Sequence, residues 1–213
     1  YNPNDLKICA SSSTNALIAV FPPSVLVALL TYLCRNSFEE YTGIADLSFG
    51  LLLIAPALIA FSFNKVLINV INAFSHMRAF AVFNTLRVVF VAFAVATIIY
   101  LDYPDRFLAL ALTFAEFSLL VILIIYNYIN LVLFNFSLIS TELIYEHLNF
   151  GVRGFLSGFM VEANTRIDIL LLSFFVSVPM IGIYSMVAML AEGIGQISFV
   201  IRRSVDPKLG NLL

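Results

Sequence analysis

Apolar residues run through this chain in stretches of about twenty, broken by short polar turns, and the length of those stretches decides what they are. A helix rises about 1.5 Å per residue, so about 20 mostly apolar residues cross the roughly 30 Å hydrocarbon core of a bilayer. By that measure the pattern predicts six spanning helices, over residues 15–34, 47–74, 80–101, 107–131, 151–176 and 182–200. The first runs through Pro22-Pro23 and ends in an acidic loop, residues 36–46. A basic turn, Ser75-His76-Met77-Arg78, separates the second from the third, and an acidic turn, Asp102-Tyr103-Pro104-Asp105, the third from the fourth. Ser177-Val178-Pro179-Met180 joins the last two. Residues 137–150 are less apolar. Leu138, Leu143, Ile144 and Leu148, with Glu142, Glu146 and His147 between them, have the spacing of an amphipathic helix lying on a membrane surface. That segment divides the chain into a first bundle of about four helices (1–136), a linker (137–150) and a second group of about two (151–213). No short tandem repeat is visible.

Composition agrees with the pattern. The chain is 62% hydrophobic and 11% charged, with mean hydropathy +1.01, far from the roughly 25% charged residues of soluble domains. The expected fold is therefore all-α: a polytopic helical bundle. A net charge of −2 says little, because in a membrane protein the side on which charges lie matters more than their sum. One set of turns and ends collects Lys7, Arg78, Arg153, Arg202, Arg203 and Lys208. The other holds only Arg35 and Arg106 among Glu39, Glu40, Asp46, Asp102 and Asp105. The positive-inside rule places the first set in the cytoplasm, and all six spans alternate consistently with it. Cys9 and Cys34 flank the first span, on opposite faces of the bilayer, so two free thiols are expected. The chain opens on Tyr1 and reads as an internal fragment of a longer protein, with no signal-peptide pattern.

Polar residues inside the spans carry the functional reading. Residues 151–175 are apolar enough to cross a bilayer yet hold Glu162, Asn164, Arg166 and Asp168 at their centre. Each charge at that depth costs about 2.5–3.5 kcal/mol even on lenient scales, and such groups normally face a bundle interior or a wet cavity. Glu162 and Arg166 have the favourable four-residue ion-pair spacing, whereas Asp168 lies about 200° around the helix from Arg166. A self-neutralising pair that only joins two helices is the plain alternative. In the second span Ser62, Lys65, Asn69, Asn72 and His76 fall within about 80° of arc. Asn84 and Arg87 share a face in the third; Thr113 and Glu116 do in the fourth, followed by Asn127, Asn130 and Asn135. Ser185, Glu192 and Gln196 line up in the sixth. For the asparagines and serines, interhelical hydrogen bonds worth about 0.6 kcal/mol each compete with a functional role. For Lys65 and Arg87, snorkelling to the interface does.

A cavity walled by Lys65, Arg87 and Arg166, with Arg153 at its mouth, suits an anionic group entering from the cytosol, since guanidinium pairs bidentately with phosphate and lysine acts as a point charge. Asn69 and Asn164 are further candidate substrate-binding residues, with the polar stripes accommodating the uncharged part of the substrate. Glu116, Glu162, Asp168 and Glu192 then balance these cations when the site is empty, or one of them carries a coupling proton or sodium ion. His76 and His147 read as solvated histidines at the cytoplasmic surface. No glycine-rich phosphate loop, HExxH, Cys/His metal spacing or G-x-S-x-G elbow is present. No enzyme activity, metal or cofactor is expected, and with no basic run no nucleic-acid partner either.

Residues 51–87, LLLIAPALIAFSFNKVLINVINAFSHMRAFAVFNTLR, and residues 154–194, GFLSGFMVEANTRIDILLLSFFVSVPMIGIYSMVAMLAEGI, resemble the Wzx-type flippases of O-antigen and capsular polysaccharide repeat units, in the multidrug/oligosaccharidyl-lipid/polysaccharide exporter superfamily. The matching features are NKVLINVINAFSHMRAFAVFNTLR across a cytoplasmic turn, NTRIDILLL in mid-span, and Ile181-Gly182-Ile183-Tyr184-Ser185 followed by Leu190-Ala191-Glu192. The resemblance covers most of the chain through degenerate motifs in consistent order. It implies a two-lobed transporter of twelve or more helices in the inner membrane, of which this chain would supply the third to the eighth. It also implies translocation of an undecaprenyl-diphosphate-linked oligosaccharide by alternating access, with Arg166, Lys65 and Arg87 at cationic cavity positions. Lipid-linked oligosaccharide, membrane lipids and a coupling proton or sodium ion are the partners that follow. A cation-coupled multidrug exporter, a membrane polymerase or ligase of lipid-linked glycans, and a purely structural membrane protein are the competing readings.

Overall fold

A computed structural model describes residues 3–131, 139–172, 174–177 and 179–191 of the chain. Among these residues the α-helices are α1 Pro3–Thr42, α2 Leu47–Ala73, α3 Met77–Tyr100, α4 Leu108–Asn130 and α5 Thr141–Leu172, then α6 Pro179–Ala191. A 3-10 turn, Asp105–Phe107, leads into α4. No strand occurs among the described residues. Four segments, Ala10–Thr42, Leu47–Ala73, Met77–Tyr100 and Asp105–Asn130, are long and apolar enough to cross a membrane. This is an all-α architecture of the membrane type. α5 covers most of the fifth predicted span, but the ionisable groups at its centre keep it short of the apolar standard the other four meet. The sixth predicted span is described only as far as Ala191, and Glu192, Gln196, Arg202 and Arg203 lie outside the described residues.

Besides the start of α1 at Pro3, ahead of the expected residue 15, two boundaries differ clearly from those read off the sequence. The acidic stretch 36–46 is not all loop: α1 continues to Thr42, because charged residues that end a hydrophobic run do not end a helix. What ends it is Gly43, at φ +66°, whose amide donates to Glu39 O at 2.8 Å. Glycine takes this left-handed conformation without a Cβ penalty. Asp46, itself at φ 62°, gives α2 no side-chain cap. Glu39 does so instead, its Oε2 accepting from Ser48 N at 2.7 Å, so the last turn of α1 satisfies an orphan amide in the first turn of α2. The second difference lies at the surface helix expected over 137–150. From Thr141 it runs into the apolar stretch as one helix, α5, while residues 137 and 138 lie outside the described residues.

The chain divides into two compact units, Tyr1–Leu148 and Asn149–Leu213. In the first, α2 packs between α1 and α4, and α3 lies chiefly against α4. Small residues allow this close approach: Ala55, Ala57 and Ala60 on α2 and Ala111 and Ala115 on α4 are all buried. Nearer the α2–α3 turn, Leu67, Ile71, Leu119 and Leu123 fill the space between the same two helices, with Phe83 of α3 beside them. Pro56 lacks the amide that would bond the Leu52 carbonyl and crowds the turn before it. One residue further on, the Leu53 carbonyl accepts from Thr113 Oγ1 of α4 at 2.5 Å, as expected where hydrocarbon offers no water to replace a loosened backbone bond. On α1, Asn15 is fully buried. Its Nδ2 donates to Ser11 O at 2.8 Å and its Oδ1 accepts from Ser140 N at 2.9 Å, which fastens the start of α5 to α1.

Candidate functional site

The buried face of α2 is built on positions 55, 57, 60, 64, 67, 68 and 71, and six of the seven are aliphatic. The seventh is Asn64, which is 2% exposed. A buried amide among hydrocarbon requires partners, and they come from α4. Asn64 Nδ2 donates both to the Glu116 carbonyl oxygen and to Glu116 Oε2, each at 2.9 Å. Glu116 is itself 3% exposed. Its other carboxylate oxygen, Oε1, meets the guanidinium of Arg87 on α3 in an ion pair. Three helices thus each contribute one polar group at mid-length, and the charges on two of them cancel.

The Arg87 side chain keeps 31% of its surface exposed, and its guanidinium carbon lies 4.5 Å from the centre of the Phe61 ring. Lys65 Nζ lies 5.2 Å from the same ring centre. An aromatic face attracts a cation by about 0.5–2 kcal/mol, more when water is scarce. Phe61, one helical turn before Lys65, therefore gathers Lys65 and Arg87 around one ring. On its α1 side a cavity of about 310 Å³ opens, lined by Pro23, Ser24, Phe61 and Ser62 among others. A larger cavity of about 650 Å³ lies between α1, α2 and α4 and is walled by apolar side chains such as Leu17, Phe63, Leu67 and Leu120.

Comparison with known proteins finds no match. No family model, no curated protein and no solved structure corresponds to this chain.

The structure brings together three of the residues singled out in the sequence: Arg87, Lys65 and Glu116. Asn69 is exposed on α2, one turn beyond Lys65, outside this cluster. In the second unit Asn164 is exposed and Asp168 half-buried. Asp168 Oδ2 accepts from Tyr184 Oη of α6 at 2.5 Å and its Oδ1 from the Ile169 amide at 2.8 Å, so this acid links α5 to α6. The side chains of Glu162 and Arg166, and all of Glu192, lie outside the described residues. His76 is not the solvated histidine expected: it is half-buried, and its Nδ1 lies 3.1 Å from Tyr126 Oη, whose ring in turn packs edge-on against Phe83. Half-buried His147 lies 3.5 Å from Ser12 Oγ.

Asn64 and Phe61 escaped the sequence reading. Asn64 sits one position outside the stripe drawn through Ser62, Lys65, Asn69, Asn72 and His76, and Phe61 is one of 21 phenylalanines. The signal that pointed to Asn64 is indirect: a lone acid in mid-α4 needs more than one donor, and an asparagine on the buried face of a neighbouring helix is the natural second one.

Proposed function

We propose that this chain belongs to a multi-pass transporter of the cell inner (plasma) membrane that moves an anionic lipid-linked oligosaccharide across the bilayer. The unit Tyr1–Leu148 supplies part of its charged pathway. One observation carries the reading: Arg87 and Lys65 lie around one ring, well inside helices that are otherwise apolar. Cations at that depth are expensive, and the usual reason to keep them is a substrate or ion that needs them. Two positive groups of different type suit a diphosphate, with the planar guanidinium fixing orientation and the ammonium adding charge. The resemblance of residues 51–87 and 154–194 to polysaccharide repeat-unit flippases points to the same substrate class. Rocking of two lobes around such a site would expose it to each side in turn.

A transporter fits better than a membrane polymerase or ligase of the same glycans, because the turns on the acidic side are short. Four residues separate α1 from α2, and the α3–α4 connection is hardly longer. A drug exporter of the same superfamily would favour acids over a cationic cluster, and here Glu116 is already bound to Arg87.

The test uses the full-length gene in cells that lack it, with a probe that reaches only glycan in the outer leaflet. The glycan is expected to be reachable with the wild-type gene and to stay unreachable with Arg87→Gln or Arg166→Ala at normal protein levels. Export that continues unchanged in both variants refutes the proposal, and dye efflux then becomes the activity to measure.

A further inference from the structure

Glu116 occupies the arginine that an anionic substrate would need, and its surroundings hold it there. Asn64 donates twice to that one residue, to its carboxylate and to its carbonyl. In doing so it leaves its own Oδ1 buried and without a hydrogen bond from any described residue. A buried acceptor without a donor is a penalty, so the orientation of Asn64 is dictated by Glu116. Arg87 is placed differently. It is partly exposed, its guanidinium has more N–H donors than one carboxylate oxygen can take, and the Phe61 ring centre lies 4.5 Å from its guanidinium carbon.

We infer that Glu116 is a built-in counter-ion that competes with the anionic substrate for Arg87. Asn64 is the positioning residue that keeps the carboxylate in place, and Phe61 holds the guanidinium while the two anions exchange. This rests on the transporter reading above and goes beyond it by assigning opposite roles to two charges that touch. In the empty site Glu116 cancels the charge of Arg87, which makes the arginine tolerable in hydrocarbon. An incoming phosphate group takes over the exposed side of Arg87 with help from Lys65, and Glu116 gives way. The affinity for substrate is therefore set below what the two cations would deliver alone. A site that released its internal anion less readily would bind too weakly, and one without it would bind tightly and release slowly.

The test measures binding of inorganic diphosphate to the purified full-length protein in phosphatidylcholine nanodiscs, by calorimetry. Glu116→Gln keeps the hydrogen bond to Asn64 and removes the charge; it is expected to tighten binding at least about fivefold, the lower end of ordinary coupling between sites. Asn64→Leu, which frees the carboxylate to move, is expected to tighten it less. Arg87→Gln is expected to weaken binding, and adding Glu116→Gln to it to restore nothing, because the gain requires the arginine. If Glu116→Gln binds no tighter while Arg87→Gln binds less, the anion site stands and the competition is overturned. If Arg87→Gln binds as the wild type does, the transporter reading fails with it. Repeating the series in phosphatidylglycerol nanodiscs separates two sources of phosphate. A lipid headgroup that uses the site competes with diphosphate, and the gain in Glu116→Gln is expected with either source.

Discussion

Removing Arg87 and removing Glu116 are expected to have unequal effects, although each breaks the same ion pair. Arg87→Gln leaves the carboxylate of Glu116, whose side chain is 4% exposed, between α2 and α4, with Asn64 as its remaining side-chain partner. Stranding one member of a buried pair costs about 3–5 kcal/mol. The Arg87 side chain is 31% exposed, so solvent reaches one end of the pair and the lower figure, about 3 kcal/mol, is the better expectation. Glu116→Gln strands the guanidinium instead, but that group retains solvent access and the Phe61 face 4.5 Å away. A cation on an aromatic face keeps about 0.5–2 kcal/mol, and the expected loss is near 1 kcal/mol. The double variant Arg87→Gln/Glu116→Gln carries no buried charge and is expected to be more stable than Arg87→Gln alone. Thermal unfolding of the full-length protein in detergent, followed through loss of the monodisperse peak, reads all four forms. At about 2–4 °C per kcal/mol for a body of this size, Arg87→Gln should fall several degrees below Glu116→Gln. Equal losses in the two single variants, or a double variant below Arg87→Gln, would show that Glu116 is not the buried member and that the asymmetry is misassigned.

Thr113→Val removes the hydroxyl that bonds the Leu53 carbonyl beside Pro56. It is expected to lower stability by about 0.6–1.7 kcal/mol, the range for interhelical hydrogen bonds in membranes, in the same unfolding assay. Thr113→Ser, which keeps the donor, should recover most of it; recovery absent, the bond has no energetic role. Cys34 is an exposed free thiol at the end of the first span on the acidic side. In intact cells it should react with a membrane-impermeant maleimide, and labelling that requires lysis would reverse the orientation drawn from the Lys and Arg distribution.

The spans of α2, α3 and α4 were legible because each is a predominantly apolar run, and hydrocarbon thickness alone fixes how long such a run must be. Their observed ends fall within three residues of the expected ones at residues 47–74, 80–101 and 107–131. The continuation of α1 to Thr42 was not, since hydropathy marks where a helix leaves the membrane and not where it stops; the stop depended on the backbone of Gly43. Arg87, Lys65 and Glu116 stood out as charges in apolar surroundings. Their pairing did not, because the register of one helix against another is set by the small residues Ala57, Ala60, Ala111 and Ala115, which carry no directional signal in a single sequence. The same register decides that Asn64 faces Glu116 and that Asn69 lies outside the cluster.

The Asn64–Glu116–Arg87 contact also bears on how the chain enters the membrane during synthesis. α2 and α3 emerge first, carrying Asn64, Lys65 and Arg87, and α4 with Glu116 follows. As a lone acid at the centre of a helix, Glu116 would oppose partition into lipid by about 2.5–3.5 kcal/mol. An arginine with the complementary penalty already waits in the preceding hairpin, and so does the Leu53 carbonyl that Thr113 of α4 reaches. Leaving the translocon for lipid is then most favourable for the three helices as a set. The hairpin is completed by the segment made after it, so a pause in translation that leaves α4 inside the ribosome with α2 and α3 already out would hold the nascent chain at its least lipid-compatible stage.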